Sequence, residues 1–452
     1  MMTQATADLT TETTVNFSEL VGRVTALKGN PAWLAEQRRA AFDTYQAAPL
    51  PARVAHLWRY TDPAAFVPRL DPDTWPGAGT VDKTVPAMLD TGLNEGDLSG
   101  IAYSNNGQVV KTQLLKELLD RGVRIVDLND AANDVGDIVK NRLGTLVGAD
   151  FGKFEALVSA LWTAGLLVYV PKGVIIDKPV HVMTTITADI GFTARRLLVV
   201  VEDGASLTLI DEYGEAGARS MVTAGAAATV ELFVGRNAEI KYVPIQNWGP
   251  NITSFLTQRA QVDADGRVNT VLTALGSKIS KVDCGTELAG KGAESNIYGL
   301  AIGTGRQHFD HHTVHRHKAG STQSDLKFKV ALRDKANSVY TGLIGIEPKA
   351  EFCEAYQENR NLLLSPGANA ETIPELEIAN NEVKCSHGAT VGKVDPEEIF
   401  YLGARGIDPR EAVRLIVSGF VGPIIDQMPA GTRERIHEVA LDRLGEAVDD
   451  NG

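Results

Sequence analysis

At 452 residues and a formal net charge of −13, the chain is long enough for two or three structural units, and it is too acidic for nucleic acid to be its main partner. Its three cysteines, Cys284, Cys353 and Cys385, build no disulfide framework and suit a reducing cytoplasm. No run of about 18 apolar residues reads as a membrane-spanning helix.

The opening, MMTQATADLTTETTVNF, has neither the basic nor the apolar segment of a secretory signal and reads as a frayed tail. FSELVGRVTALKG predicts a helix capped by Ser18, with Leu20, Val24 and Leu27 near one face. Pro31 begins a second helix that stops before Pro49 and Pro51. WRYTDP and DPDTWPGAG read as a connection. GIAYSNNGQVV predicts a hairpin around Asn105, Asn106 and Gly107; TQLLKELLDRG a helix ending at Gly122; VRIVDL a strand.

From about residue 165 apolar β-branched runs alternate with tight polar turns for over two hundred residues, with almost no helical period. Small or polar turns recur in EDGASLTL, GRNAEIKY, ADGRVNTV, GKGAESNI and RDKANSVY. The residues after them, Ala205, Ala238, Arg267, Ala293 and Ala336, lie 33, 29, 26 and 43 apart. An irregular repeat of that size predicts a β-solenoid, each coil burying its face on the next; a sandwich is the plainer alternative. Helix returns after residue 394: Asp395 with Pro396 and Asp408 with Pro409 read as N-cap pairs. Val413, Ile416, Val417 and Phe420 form an apolar stripe that Gly419 and Gly422-Pro423 should interrupt, and GTRERIHEVALDRLGEAV closes the chain as an amphipathic segment. The plan is a helical region (1–70), a mixed lead-in (71–150), a β-body (151–392) and a helical domain (393–452).

Two constellations carry donor chemistry. Cys385-x-His387 in VKCSHGATVG places a thiol and an imidazole on one face of a strand, about 6–7 Å apart along the chain. A buried cysteine beside a hydrogen-bonded histidine would give the same pattern. HFDHHTVHRH sets His311, His315 and His317 on one strand face, with His308, His312 and Asp310 alternating; this is compatible with zinc or iron, and equally with plain strand alternation. No phosphate loop, nucleophile elbow or paired catalytic carboxylates stand out.

Several blocks resemble a known family: WRYT (58–61), ALWTAGLLVYVPKGV (160–174), YQENRNLLLSPGANAETIPELEI (356–378) and, most specifically, VKCSHGATVGKVDPEEIFYLGARGID (383–408). Together these are similar to the SufB/SufD family of iron–sulfur cluster assembly proteins, and to its SufD-like branch in particular. The resemblance implies a mainly β fold, a right-handed parallel β-helix flanked by N- and C-terminal helical regions. It implies a cytoplasmic, non-enzymatic scaffold subunit, partnered by SufB through the β-helices and by the SufC ATPase, with a homodimer possible when alone. No nucleic acid or membrane partner is expected. SufB-type chains carry a cysteine in the segment matching ENRNLLLS, where Asn359 falls here, and a glutamate after the matching histidine, where Gly388 stands. Carried over to this chain are His387, as a ligand facing the SufB cysteine, and Cys385 beside it, sharing a nascent, transient iron–sulfur cluster with the partner; none is bound tightly by the isolated chain. The cysteine count agrees, since four-thiolate clusters need more than three. Two other readings are carried forward: a β-helix enzyme acting on carbohydrate, and a metalloenzyme using histidines 308–317.

Overall fold

The computed structural model describes residues 17–27, 29–68, 70, 75, 95–186, 191–215 and 223–444. The expected frayed tail, most of DPDTWPGAG and the last residues of the closing segment lie outside that set.

Alternating apolar residues build a parallel β-solenoid of about eight turns, flanked by helices at both ends of the chain. Among the described residues its strands form one sheet of ten and one of nine. The first runs from Val383–Lys393 at one edge through Cys353–Leu363, Gln323–Leu332 and Glu294–Gly303 to Val180–Ile186 and Gly100–Asn105. The second runs from Asn369–Ile378 through Asn337–Ile346 and His308–His317 to Ala164–Val170. Successive strands alternate between the sheets, so each pairs in parallel with the strand two places on. Antiparallel strands close the early end: Gln108–Leu114 on one sheet and Arg124–Asp127 on the other. The first is the expected hairpin, with Asn106 and Gly107 at φ 46° and 77° as its two-residue turn requires.

Left-handed residues recur at one corner of each coil, at Gly204, Asn237, Asp265, Gly292, Ser321 and Phe352. Ala205, Ala238 and Ala293 follow three of them and are fully buried, as are Thr322 and Cys353 after Ser321 and Phe352, so this position faces the packed interior. Two of the sequence-derived repeat positions are corrected. Arg267 is exposed, and Gly266 takes the equivalent place, its N–H donating to Asp263 O as Ala238 N–H does to Gly235 O. Ala336 belongs to the opposite corner, which explains the long last interval.

The first helix is Phe17–Leu27, so Ser18 lies inside it and is not its cap. The second, Ala32–Ala47, starts after Pro31 and packs with Lys153–Leu161. Arg38 ties them to the body: buried, it stacks 4.0 Å over Trp162 and donates to Trp162 O at 2.8 Å. Burial and the charge of Arg196 lower its pKa to about 9. Beyond these helices the chain crosses the outer face of the nine-stranded sheet, where Trp58 and Phe66 pack on Phe154 and Phe255. His56 reaches Glu375 on the final strand of that sheet, 3.0 Å away.

After the last coil, Pro396–Gly403 starts from the Asp395 cap and Pro409–Ile425 from Asp408. The latter runs unbroken through Gly419, Gly422 and Pro423, contrary to the expected interruption. Its buried residues Val413, Val417, Val421 and Ile424 join Ile245, Leu300 and Ile302 in one cluster on the outer face of the ten-stranded sheet. That burial outweighs the missing amide of Pro423. Ala430–Leu444 then completes the layer. No helix among the described residues is long and apolar enough to cross a membrane.

Candidate functional site

Cys385 and His387 lie on Val383–Lys393, which occupies the end position of its sheet and, among the described strands, pairs with Cys353–Leu363 alone. The register sets Cys385 opposite Ala355 and His387 opposite Gln357. Cys353, Ala355, Gln357 and Asn359 are buried and alternate with outward Glu354, Tyr356 and Arg360, so both donors belong to the column that faces the solenoid interior. No further coil covers that column. Cys385 is therefore half-buried, against Cys353, Ala355 and Leu376, and His387 is exposed. Burial pushes the Cys385 thiol above its ordinary pKa, so a metal ion must displace a proton to bind it.

Asn359 stands opposite Ala389, one step along the same column, and is buried. Its amide donates to Phe328 O at 3.1 Å and its oxygen accepts from Asn361 at 2.7 Å. Both ends of the carboxamide are thus engaged within the solenoid, and it carries no thiolate. Gly388 points to the opposite face from His387, and a Cβ there would meet only Tyr356 Oη, at 3.8 Å. The space would admit a larger side chain.

The remaining cysteines are both buried. Cys284 is fully buried, with its thiol pushed up to about 12 by desolvation, and donates to Gln258 Oε1. Cys353 is buried under the last coil, 3.1 Å from Thr322 Oγ1. Neither is exposed to an incoming ligand.

The histidine-rich strand His308–His317 is divided between two environments. His311, His315 and His317 do share a face, as the alternation predicts, and that face is the core. His315 Nε2 pairs with Ser295 Oγ at 3.0 Å, His317 bridges Thr322 at 2.7 Å and Ser324 at 2.9 Å, and His311 packs against Phe328. On the other face Asp310 meets Lys281 at 2.8 Å under the crossing N-terminal chain, and Thr61 bonds both Asp310 and His308. Burial raises the Asp310 pKa, but Lys281, His312 and Thr61 more than offset it and hold the carboxyl below its usual range. Among the described residues no three His, Cys, Asp or Glu are arranged to hold a metal ion. Strand alternation accounts for the histidines, and this geometry lends the metalloenzyme alternative no support.

A feature that sequence reasoning passed over lies just beyond the site. Pro396–Gly403 buries none of its residues, and Phe400 and Tyr401 are 79% and 57% exposed. The adjacent aromatics in EIFY were the available signal, since neighbouring positions on a helix cannot both face one core.

Comparison with known proteins adds a family context. Residues 183–420 match the model of the SufBD core domain of SUF-system FeS cluster assembly, and residues 96–182 that of the SufBD protein N-terminal region. The chain is 28% identical over 415 residues to an iron–sulfur cluster assembly SufBD family protein of Staphylococcus saprophyticus, covering 91% of this chain and 89% of that one. A protein of the same description in Staphylococcus haemolyticus is 28% identical over 417 residues, with the same coverage of both chains.

Proposed function

This chain belongs to the SufBD family of iron–sulfur cluster assembly proteins, and from that membership we propose that it is the SufD-like, non-ATPase half of a shared scaffold. In this reading the end strand Val383–Lys393 pairs with the solenoid of a SufB-type partner. Cys385 and His387 then present two donors to a cluster assembled at the junction. The observation that carries the reading is that the one strand holding a thiol and an imidazole on the same face also ends its sheet, with a free backbone edge. Asn359 and Gly388 support the division of labour, because neither supplies a ligand. The partner would provide the missing thiolate. Family membership leaves the carbohydrate-enzyme reading without support.

The cluster is cargo, and the residues of this chain act on it by position and protonation. To bind, Cys385 must lose a proton that its half-buried setting retains. The ATPase of the assembly, SufC, is assigned to the C-terminal helical domain.

The test is anaerobic cluster reconstitution of the complex with its SufB-type partner. His387→Ala should fold normally and lose most of the cluster, and Cys385→Ser should have a smaller effect, since a serine oxygen is a poor soft-metal ligand. Full reconstitution by His387→Ala would remove His387 from the site.

A further inference from the structure

We propose that the cleft between Ala430–Leu444 and the turns 247–251, 275–278 and 304–307 binds a small phosphate-bearing molecule of nucleotide size. The cleft encloses about 780 Å³, within the range of small-ligand sites. Lys278, Arg306, Arg435 and Arg443 line it, with Asp442 the sole carboxylate among its described lining residues. That is a local excess of cations on a chain of net charge −13.

The cations come from two walls. Ile279 stands opposite His308 in the ladder, so Lys278 and Arg306 lie on adjoining coils whose backbones are about 4.8 Å apart. Both are exposed, and no carboxylate pairs with either among the described residues. Across the cleft, Arg443 donates to Leu275 O and, at 2.7 Å, to Asn247 Oδ1, and these contacts fix its guanidinium at the floor. Arg435, about two helical turns away, pairs with Glu438 at 3.0 Å. The backbone amide of Gly305 is already taken by Asp334, so side chains rather than a glycine loop would carry the recognition.

Trp248, Leu275 and Val439 give the cleft an apolar floor. Cations on two walls over such a floor fit a ligand with several negative charges at one end and a ring at the other. A single carboxylate would engage one wall only. No contiguous motif announces the site, because its cations come from three separate stretches of chain.

Calorimetry on the full chain at low ionic strength tests this, with ADP, pyrophosphate and adenosine as probes. ADP should bind at one site and weaken steeply with added salt; pyrophosphate should compete with it more weakly; adenosine should not bind measurably. Lys278→Glu with Arg306→Glu should lower ADP affinity at least about tenfold, the loss expected of one charge-assisted contact, while leaving the melting temperature unchanged. Absence of saturable binding by both phosphates, equal affinity in the double variant, or adenosine binding as well as ADP would each overturn the assignment. None of these readouts involves a cluster or a partner, so they stand or fall apart from the scaffold reading.

Discussion

His311 is a buried imidazole held between Phe309 and Phe328, and neither ring nitrogen finds a hydrogen-bond partner among the described residues. Burial lowers its pKa and that of His315 to about 3, and those of His181, His312 and His317 to about 4. All five are neutral in the folded chain at pH 7, whereas an unfolded histidine titrates near 6.5. Below that value the unfolded state binds more protons, so stability should fall as pH drops from about 6.5 towards 4, with the last part of the loss reaching about 3. Thermal melts across that window should show the decline. His311→Leu should make it shallower and at neutral pH should be neutral or stabilising, by up to about 1–3 kcal/mol, because it removes an unsatisfied polar group. A large destabilisation at pH 7 would mean that the imidazole is satisfied in a way this packing does not contain.

At the level of whole elements, the C-terminal helices divide their surfaces differently from what periodicity suggests. Val413 and Val417 do lie on an apolar stripe, but that stripe seals the outer face of the ten-stranded sheet and is closed to a partner. Removing everything after Val394 would therefore strip Ile245, Leu300 and Ile302 and confound any binding assay. What remains outward is Phe400 and Tyr401, with Leu415 45% exposed nearby in sequence. Phe400→Ala with Tyr401→Ala should cut co-purification of the ATPase at least about tenfold, as loss of aromatic anchors does at an interface, with no change in melting temperature. Undiminished co-purification would place docking elsewhere. Helix starts were legible because Asp395 and Asp408 cap through their own carboxylates, a local event. The continuity of the helix through Pro423 is not legible locally, because its stability comes from the sheet beneath it, which no window of sequence contains. Four of the six turn corners are legible as glycine, asparagine or aspartate, whereas Ser321 and Phe352 are not, and the one-residue offset that puts Gly266 rather than Arg267 at the buried position is invisible without the register.

For the molecule as a whole, parallel strands and alternating patterns made the solenoid readable, while the position of the last strand was not. Nothing in VKCSHGATVG says that the sheet ends there. The chain by itself offers the candidate site two donors, and its other thiols are buried, so anaerobic reconstitution of the purified protein should leave no stoichiometric cluster after desalting. A retained cluster would show that one chain completes the site and would end the shared-scaffold reading. Pairing of each strand with the strand two places on also has a temporal consequence. During synthesis the early coils can close while later ones are still unmade, so the wall carrying Cys385 and His387 is the last to be laid. The helices made after it fold back to anchor on far older parts of the body, as Arg443 does on Asn247. A nascent chain therefore lacks the edge proposed for docking until nearly the whole protein exists, and on that proposal an unfinished molecule has no means of recruiting a partner through it.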